Sequence, residues 1–315
     1  MNQTISTCQF HSMFLKQDGQ LNSVFYTKIY GIVVQVAAGD SYSLALTKDG
    51  RIFVWNVVLL VNELDNESRL EIKNGDFIAV AAGDSHYLAL TRDGKIFGWG
   101  NNDFGQTDCP QGNNFIAVAA GQNHSVALTR DGKIVGWGWN DYGQIPVNEK
   151  GSFVAIAAGG YHSLALTKDG RIVGWGPINP CMFNCSKISP FKELTSSIDT
   201  FVAISAGEEY SIALTRDGRI VGCGHNDFGQ INCPKGENFI AISAAAEHAI
   251  ALTSDGQIVG WGWTNFDSRE KIALPYDFLG RLNRNVKVLC SIPKYIKMEI
   301  LEDYTGWTFG NLYYL

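Results

Sequence analysis

The sequence lacks any apolar run long enough to cross a bilayer, and Met1 to Phe10 are polar, without the cationic and apolar stretches of a secretion signal. Both absences argue for an intracellular protein, cytoplasmic or nuclear, that is not secreted and does not enter membranes. Cysteine is sparse: seven residues, an odd number without framework spacing, read as reduced thiols. Positive charge is also short, 25 Lys and Arg against 31 Asp and Glu for a net charge of −6, which argues against a surface wholly devoted to nucleic acid. No glycine-rich loop leads into a helix with Lys-Ser/Thr, so there is no phosphate cradle. The acidic pairs have no positioned histidine for acid–base work. The reading is therefore a non-enzyme with no cofactor and no metal.

Glycine is plentiful, at 34 residues, and it falls in a repeat. The segment Phe115–Gly138, FIAVAAGQNHSVALTRDGKIVGWG, recurs from Phe77, Phe153, Phe201 and Phe239, and from Val33 with Val in place of Phe. The turn glycines Gly50, Gly94, Gly132, Gly170, Gly218 and Gly256 are spaced by 44, 38, 38, 48 and 38 residues, a 38-residue unit with insertions. Degenerate copies sit at both ends, in Ile5–Gly19 and Met298–Asn311. The chain thus divides into a single domain, 1–315, of units 5–32, 33–76, 77–114, 115–152, 153–200, 201–238, 239–285 and 286–315. Interruptions at 56–75, 177–199 and 264–285 carry no recognisable motif.

Each unit holds three short runs that read as strands. The first is apolar on both faces, the second alternates, and the third alternates less strictly. Asp-Gly between the second and third predicts a two-residue hairpin with positive φ at both central positions. Runs this short, rich in β-branched residues and punctuated by glycine, exclude helix. Small antiparallel sheets in series protect their edges best by closing radially, and the loop after the third run has space for a fourth strand. The expectation is an all-β propeller of seven blades, with eight as the alternative.

The strand pair Ala-Ala-Gly-x-x-His-Ser-Leu-Ala-Leu-Thr, the Asp-Gly turn, Gly-Trp-Gly, and the Asn-Asp-Phe/Tyr-Gly-Gln loops at Asn102–Gln106, Asn140–Gln144 and Asn226–Gln230 resemble regulator of chromosome condensation repeat propellers over Ile5–Asn311. The short units, with Pro110 and Pro234 after the Gln, are similar to compact members of the β-lactamase-inhibitor type. The resemblance implies a binding protein: members include an exchange factor for the small GTPase Ran, chromatin binders, ubiquitin-ligase modules, a plant ultraviolet photoreceptor and protein inhibitors. The photoreceptor's clustered Trp motif is not present here.

Antiparallel order sorts the loops onto two faces. The Gly-x-x-His connections and the Asn-Asp-aromatic-Gly-Gln loops share an upper face, and the Asp-Gly turns form a lower one. The upper connections carry Asp40, Asp84, Glu208, Glu209 and Glu247, and the upper loops add Asp103, Asp141 and Asp227. Tyr161, Trp139 and Trp263 lie among them and are the expected contact residues for a basic protein partner. Phe104, Tyr142 and Phe228 share one repeat position, which favours packing between blades as core.

The lower turns carry ten cations against seven aspartates. They are Lys48 and Arg51, Arg92 and Lys95, Arg130 and Lys133, Lys168 and Arg171, and Arg216 and Arg219. This basic face is a second candidate site, for nucleic acid or chromatin, against the plainer reading of solvated turn residues beside their own Asp. A GTPase as partner, with nucleotide exchange, is the remaining alternative.

His11, His86, His124, His162 and His248 recur at one register, with Tyr42 and Tyr210 in the other copies. Residues in separate blades cannot converge on one metal ion, so a hydrogen-bonding role is expected. His225 is off register and receives no role. Cys181 and Cys185 with Cys223 or Cys233 make only a weak zinc pattern, because Cys223 replaces the Trp of Gly-Trp-Gly and Cys233 matches Cys109 before Pro.

Overall fold

The computed structural model describes residues 5–7, 12–15, 21–22, 32–56, 70–146, 151–177, 200–255, 258–262, 296–302 and 308–314. Among them there are strands and turns and no helix. Strands β1 (Ile5–Thr7), β2 (Ser12–Leu15) and β3 (Leu21–Asn22) form the first sheet, and β4 (Val33–Ala38), β5 (Tyr42–Thr47), β6 (Ile52–Asn56) and β7 (Leu70–Lys73) the second. The third sheet holds β8 (Phe77–Ala82), β9 (His86–Thr91) and β10 (Ile96–Gly100). The fourth holds β11 (Phe115–Ala120), β12 (His124–Thr129) and β13 (Ile134–Gly138), and the fifth β14 (Phe153–Ala158), β15 (Ser163–Thr167) and β16 (Ile172–Trp175). The sixth holds β17 (Phe201–Ala206), β18 (Tyr210–Thr215) and β19 (Ile220–Gly224), and the seventh β20 (Phe239–Ala244), β21 (His248–Thr253) and β22 (Ile258–Gly262). A hairpin of β23 (Ile296–Glu302) and β24 (Thr308–Tyr314) follows.

Every pairing is antiparallel, and the first strands of successive sheets touch in the order β1, β4, β8, β11, β14, β17 and β20, with β20 also meeting β1. This is the all-β propeller architecture the repeat implied. A fourth strand is present only in the second sheet among the described residues. In the third and sixth sheets the tail of the upper loop covers that edge: Thr107 and Cys109 lie over Gly98, and Ile231 and Cys233 over Gly222. Residues 57–69, 178–199 and 263–295, which include most of each interruption, lie outside the described set.

The middle strand is the core of each blade. All six residues of β12, β18 and β21 are buried, so it does not alternate as expected. Both its faces pack, because a neighbouring sheet lies on each side, as where Leu90 of the third sheet joins one cluster with Phe115 and Ala127 of the fourth. The first strand also departs from a uniform apolar run. A register shift after its first residue, between Phe115 and Ala117 for example, leaves the second residue unpaired. Ile78, Ile116, Val154, Val202 and Ile240 are consequently exposed.

The glycine of Ala-Ala-Gly is required where blades meet. A Cβ on Gly39 would overlap the carbonyl oxygen of Gly83, one on Gly83 that of Gly121, one on Gly121 that of Gly159, and one on Gly159 that of Gly207. The Asp-Gly turn differs from the sequence expectation. Gly132 donates to Thr129 O (2.9 Å) and Thr129 N to Lys133 O (2.9 Å), which encloses three residues, Arg130, Asp131 and Gly132. With Gly132 at φ +76°, this is a turn closed by a left-handed glycine, so Asp131 is spared the positive φ of a two-residue loop.

Candidate functional site

Register places the connections on two ends of each sheet. His124 pairs with Gly138, and Trp139 N donates to Asn123 O (2.9 Å), so the 121–123 connection and the 139–144 loop share one end. The Arg130–Gly132 turn lies at the other. The upper ends are tied between sheets, with Ser41 N donating to Asp84 O (2.7 Å) and Glu208 N to Ala246 O (3.3 Å).

Beneath the upper surface runs a chain of histidines. His86 Nε2 lies 2.9 Å from Ser125 Oγ, His124 Nε2 2.9 Å from Ser163 Oγ, and His162 Nε2 2.7 Å from Ser211 Oγ, each pair joining one sheet to the next. Ser125 donates to Gln106 O (2.8 Å), so it accepts from His86 and fixes that proton on Nε2. Tyr210 substitutes by donating to the His248 carbonyl. Burial lowers the pKa of His86 and His124 to about 4 and of His162 and His248 to about 3. All four are buried and neutral, and His86, His124 and His162 fasten one sheet to the next, whereas the His248 Nε2 has no partner; no group of metal-ligating side chains occurs among the described residues. Cys109, Cys223 and Cys233 are free, and burial pushes their thiols up to about 11, 12 and 12. They pack as small apolar groups; Cys8, Cys181, Cys185 and Cys290 lie outside the described residues.

On the surface above, acids gather. Glu208 is raised in pKa by burial and then by the charges of Asp84, Glu209 and Glu247, and Asp84 is raised by burial. Tyr161 is raised by burial and by Glu208, Glu209 and Asp84. Carboxylates from the third, sixth and seventh sheets therefore share one field. Asp40 stands in the equivalent connection of the second sheet.

The aromatic residues are arranged differently from the expectation. Phe104 and Tyr142 are 49% and 52% exposed, because the Gln of the motif takes the inner position instead. Gln106, Gln144 and Gln230 are buried, and their Oε1 atoms accept from the backbone N–H of Phe104, Tyr142 and Phe228 at 3.0 Å. The loop thus turns its amide inward and Phe104 and Tyr142 outward. Phe228 is half-buried against His225. Trp139 sits amid Phe104, Tyr142 and Tyr161, with ring centroids 5.8, 5.0 and 5.9 Å away. One aromatic surface therefore spans three sheets, and Asp103 and Asp141 flank it. Trp263 lies outside the described residues, and Asp227, exposed, pairs with His225 (3.0 Å).

On the lower face the second cation of each turn closes on its own aspartate. The pairs are Arg51–Asp49 (2.8 Å), Lys95–Asp93 (2.7 Å), Lys133–Asp131 (2.5 Å), Arg171–Asp169 (3.1 Å) and Arg219–Asp217 (2.7 Å). Arg92 pairs with Asp76 (3.1 Å). Arg130, Lys168 and Arg216 are exposed, with no ion pair described. This arrangement spends much of the basic charge within the turns. The sequence alone gives His225 no role and does not single out Gln144 within its loop; the signal for them is the alignment of Gln144 with Gln106 and of His225 with Asn101 in other copies.

The family model of the regulator of chromosome condensation (RCC1) repeat matches residues 33–55, 77–106, 115–144, 153–180 and 201–230. No curated protein matches the sequence. Among solved structures, Prp20p from Saccharomyces cerevisiae is similar with a TM-score of 0.62 at 18% identity over 82% of each chain. Human WBSCR16 gives 0.63 at 21% over 80% of this chain and 87% of its own. The ectodomain of the Arabidopsis thaliana receptor kinase ACR4 gives 0.60 at 21% over 82% and 93%. At these identities the likeness is one of fold.

Proposed function

Because this chain belongs to the regulator of chromosome condensation repeat family, we propose that it is a non-enzymatic, intracellular interaction scaffold that grips a basic protein partner on its upper face. The observation that carries this reading is the juxtaposition there of an aromatic surface, the exposed Phe104 and Tyr142 with the half-buried Trp139 and Tyr161, and the Asp84 and Glu208 cluster. Rigid aromatics supply contact area at low entropic cost, and carboxylates in one field select a cationic surface and speed its approach. Keeping Glu208 among three other carboxylates works against the free protein, which a positive partner would reverse. Prp20p, described for its binding to Gsp1p and histones, supplies a precedent for protein partners on this fold.

The test is capture of basic proteins from native extract by the full chain. Glu208→Gln with Glu209→Gln, and separately Tyr161→Ala, are expected to reduce capture strongly, and Arg130→Glu with Arg216→Glu to leave it intact. Loss on the lower-face change alone would move the binding surface to the basic turns.

A further inference from the structure

Three copies of the upper loop share a hydrogen-bonded frame, and one of them breaks it. In the first, Gln106 Nε2 donates to Asn101 Oδ1 (2.6 Å) and Asn101 Nδ2 to Asp103 Oδ2 (2.7 Å). In the third, His225 takes the place of Asn101: Gln230 Nε2 lies 3.0 Å from its Nδ1, and its Nε2 3.0 Å from Asp227 Oδ2. In the middle copy the position is Trp139. The indole N–H still reaches Asp141 Oδ2 (2.8 Å), but an indole offers no acceptor, and the amide Nε2 of the fully buried Gln144 is left without a partner. An orphaned buried donor is destabilising, and an asparagine would remove the defect with no change to the rest of the loop.

What replaces the lost bond is the centre of the aromatic surface. Trp139 bridges Phe104 to the edge-on pair of Tyr142 and Tyr161, whose centroids lie 5.9 Å apart. Carboxylates stand on both sides: Asp141 on the indole N–H, and Glu208, whose carbonyl accepts from Gly160 N (3.1 Å), beside Tyr161. Aromatic faces bordered by carboxylates suit a planar, weakly hydrated cation better than an ammonium.

We propose that the Trp139–Gln144 loop with Tyr161 is an arginine subsite. A guanidinium of an extended basic segment lies on the aromatic surface, facing Asp141 and Glu208, while the Gln144 Nε2 stays buried and unpaired beneath as the cost of placing an indole at position 139. This rests on the upper face being the binding face.

The test uses fluorescein-labelled ten-residue peptides, one alternating Arg with Gly and one alternating Lys with Gly. Anisotropy is read with the wild-type chain, Trp139→Asn, Trp139→Phe, and Asp84→Asn with Glu208→Gln, alongside thermal unfolding. The wild type is expected to prefer the arginine peptide by about tenfold. Trp139→Asn is expected to raise Tm, since Gln144 regains its acceptor, and to abolish that preference; Trp139→Phe should retain most of it. The acid double variant should weaken both peptides. Arginine-peptide affinity within about threefold of wild type in Trp139→Asn overturns the subsite while leaving the face in place. Failure of the wild type to bind either peptide overturns both.

Discussion

His124 Nε2 lies 2.9 Å from Ser163 Oγ, 39 residues away in the next sheet, and that separation is one repeat plus one residue. The bond makes each copy's fastener depend on the following copy. It also places neutral imidazoles where protonation is costly, which gives acid sensitivity a definite origin.

The buried histidines have folded pKa values below the unfolded value near 6.5, so their stabilisation is complete above about pH 6.5 and is lost as pH falls toward 4 and 3. At pH 5 a histidine with a folded pKa of about 4 has forfeited roughly 2 kcal/mol. Urea unfolding between pH 7 and pH 4.5 is expected to show a steep loss, and His124→Gln, which cannot charge, a shallower one. A stability flat over that range would show that these rings are not held neutral.

Gly121→Ala is expected to destabilise by about 1–3 kcal/mol, since its Cβ would stand 2.5 Å from Gly159 O and 2.5 Å from His124 Cε1. Thermal unfolding checks this. A Tm unchanged by the substitution would mean that the blades can separate at this contact without loss.

The turn predicts an unequal pair. Lys133→Ala removes only an exposed ion pair and should cost no more than about 0.5 kcal/mol. Thr129→Val removes the hydroxyl that binds Asp131 (2.6 Å) and accepts from Lys133 N (3.0 Å), and should cost about 1 kcal/mol or more by denaturant titration.

Glu208 titrates in the opposite sense to the histidines. Its raised folded pKa means that stability is lost as pH rises through the carboxylate range, so Glu208→Gln should raise Tm at pH 7 and raise it less near pH 4. A lower Tm at pH 7 would identify Glu208 as a structural hydrogen-bonding group.

Much of this architecture could be read from the repeat, because turn glycines, Ala-Ala-Gly and the recurring histidines impose one sheet per copy. What could not be read lay between copies or inside loops. Ser125 and Ser163 are ordinary strand residues until the preceding copy's histidine is placed beside them. Phe104 and Tyr142 were misplaced because apolar character outweighed the backbone demand that draws Gln106 and Gln144 inward. The turn was misread because Asp-Gly is shared by two- and three-residue hairpins, and only the register of Leu128 with Ile134 separates them.

Hydrogen–deuterium exchange of the full chain with and without the alternating Arg–Gly peptide tests the upper-face account most directly. Protection is expected in residues 101–106, 139–144, 159–162 and 207–209, with the turns at 92–95, 130–133 and 216–219 unchanged. Protection confined to those turns, or to neither set, would contradict it.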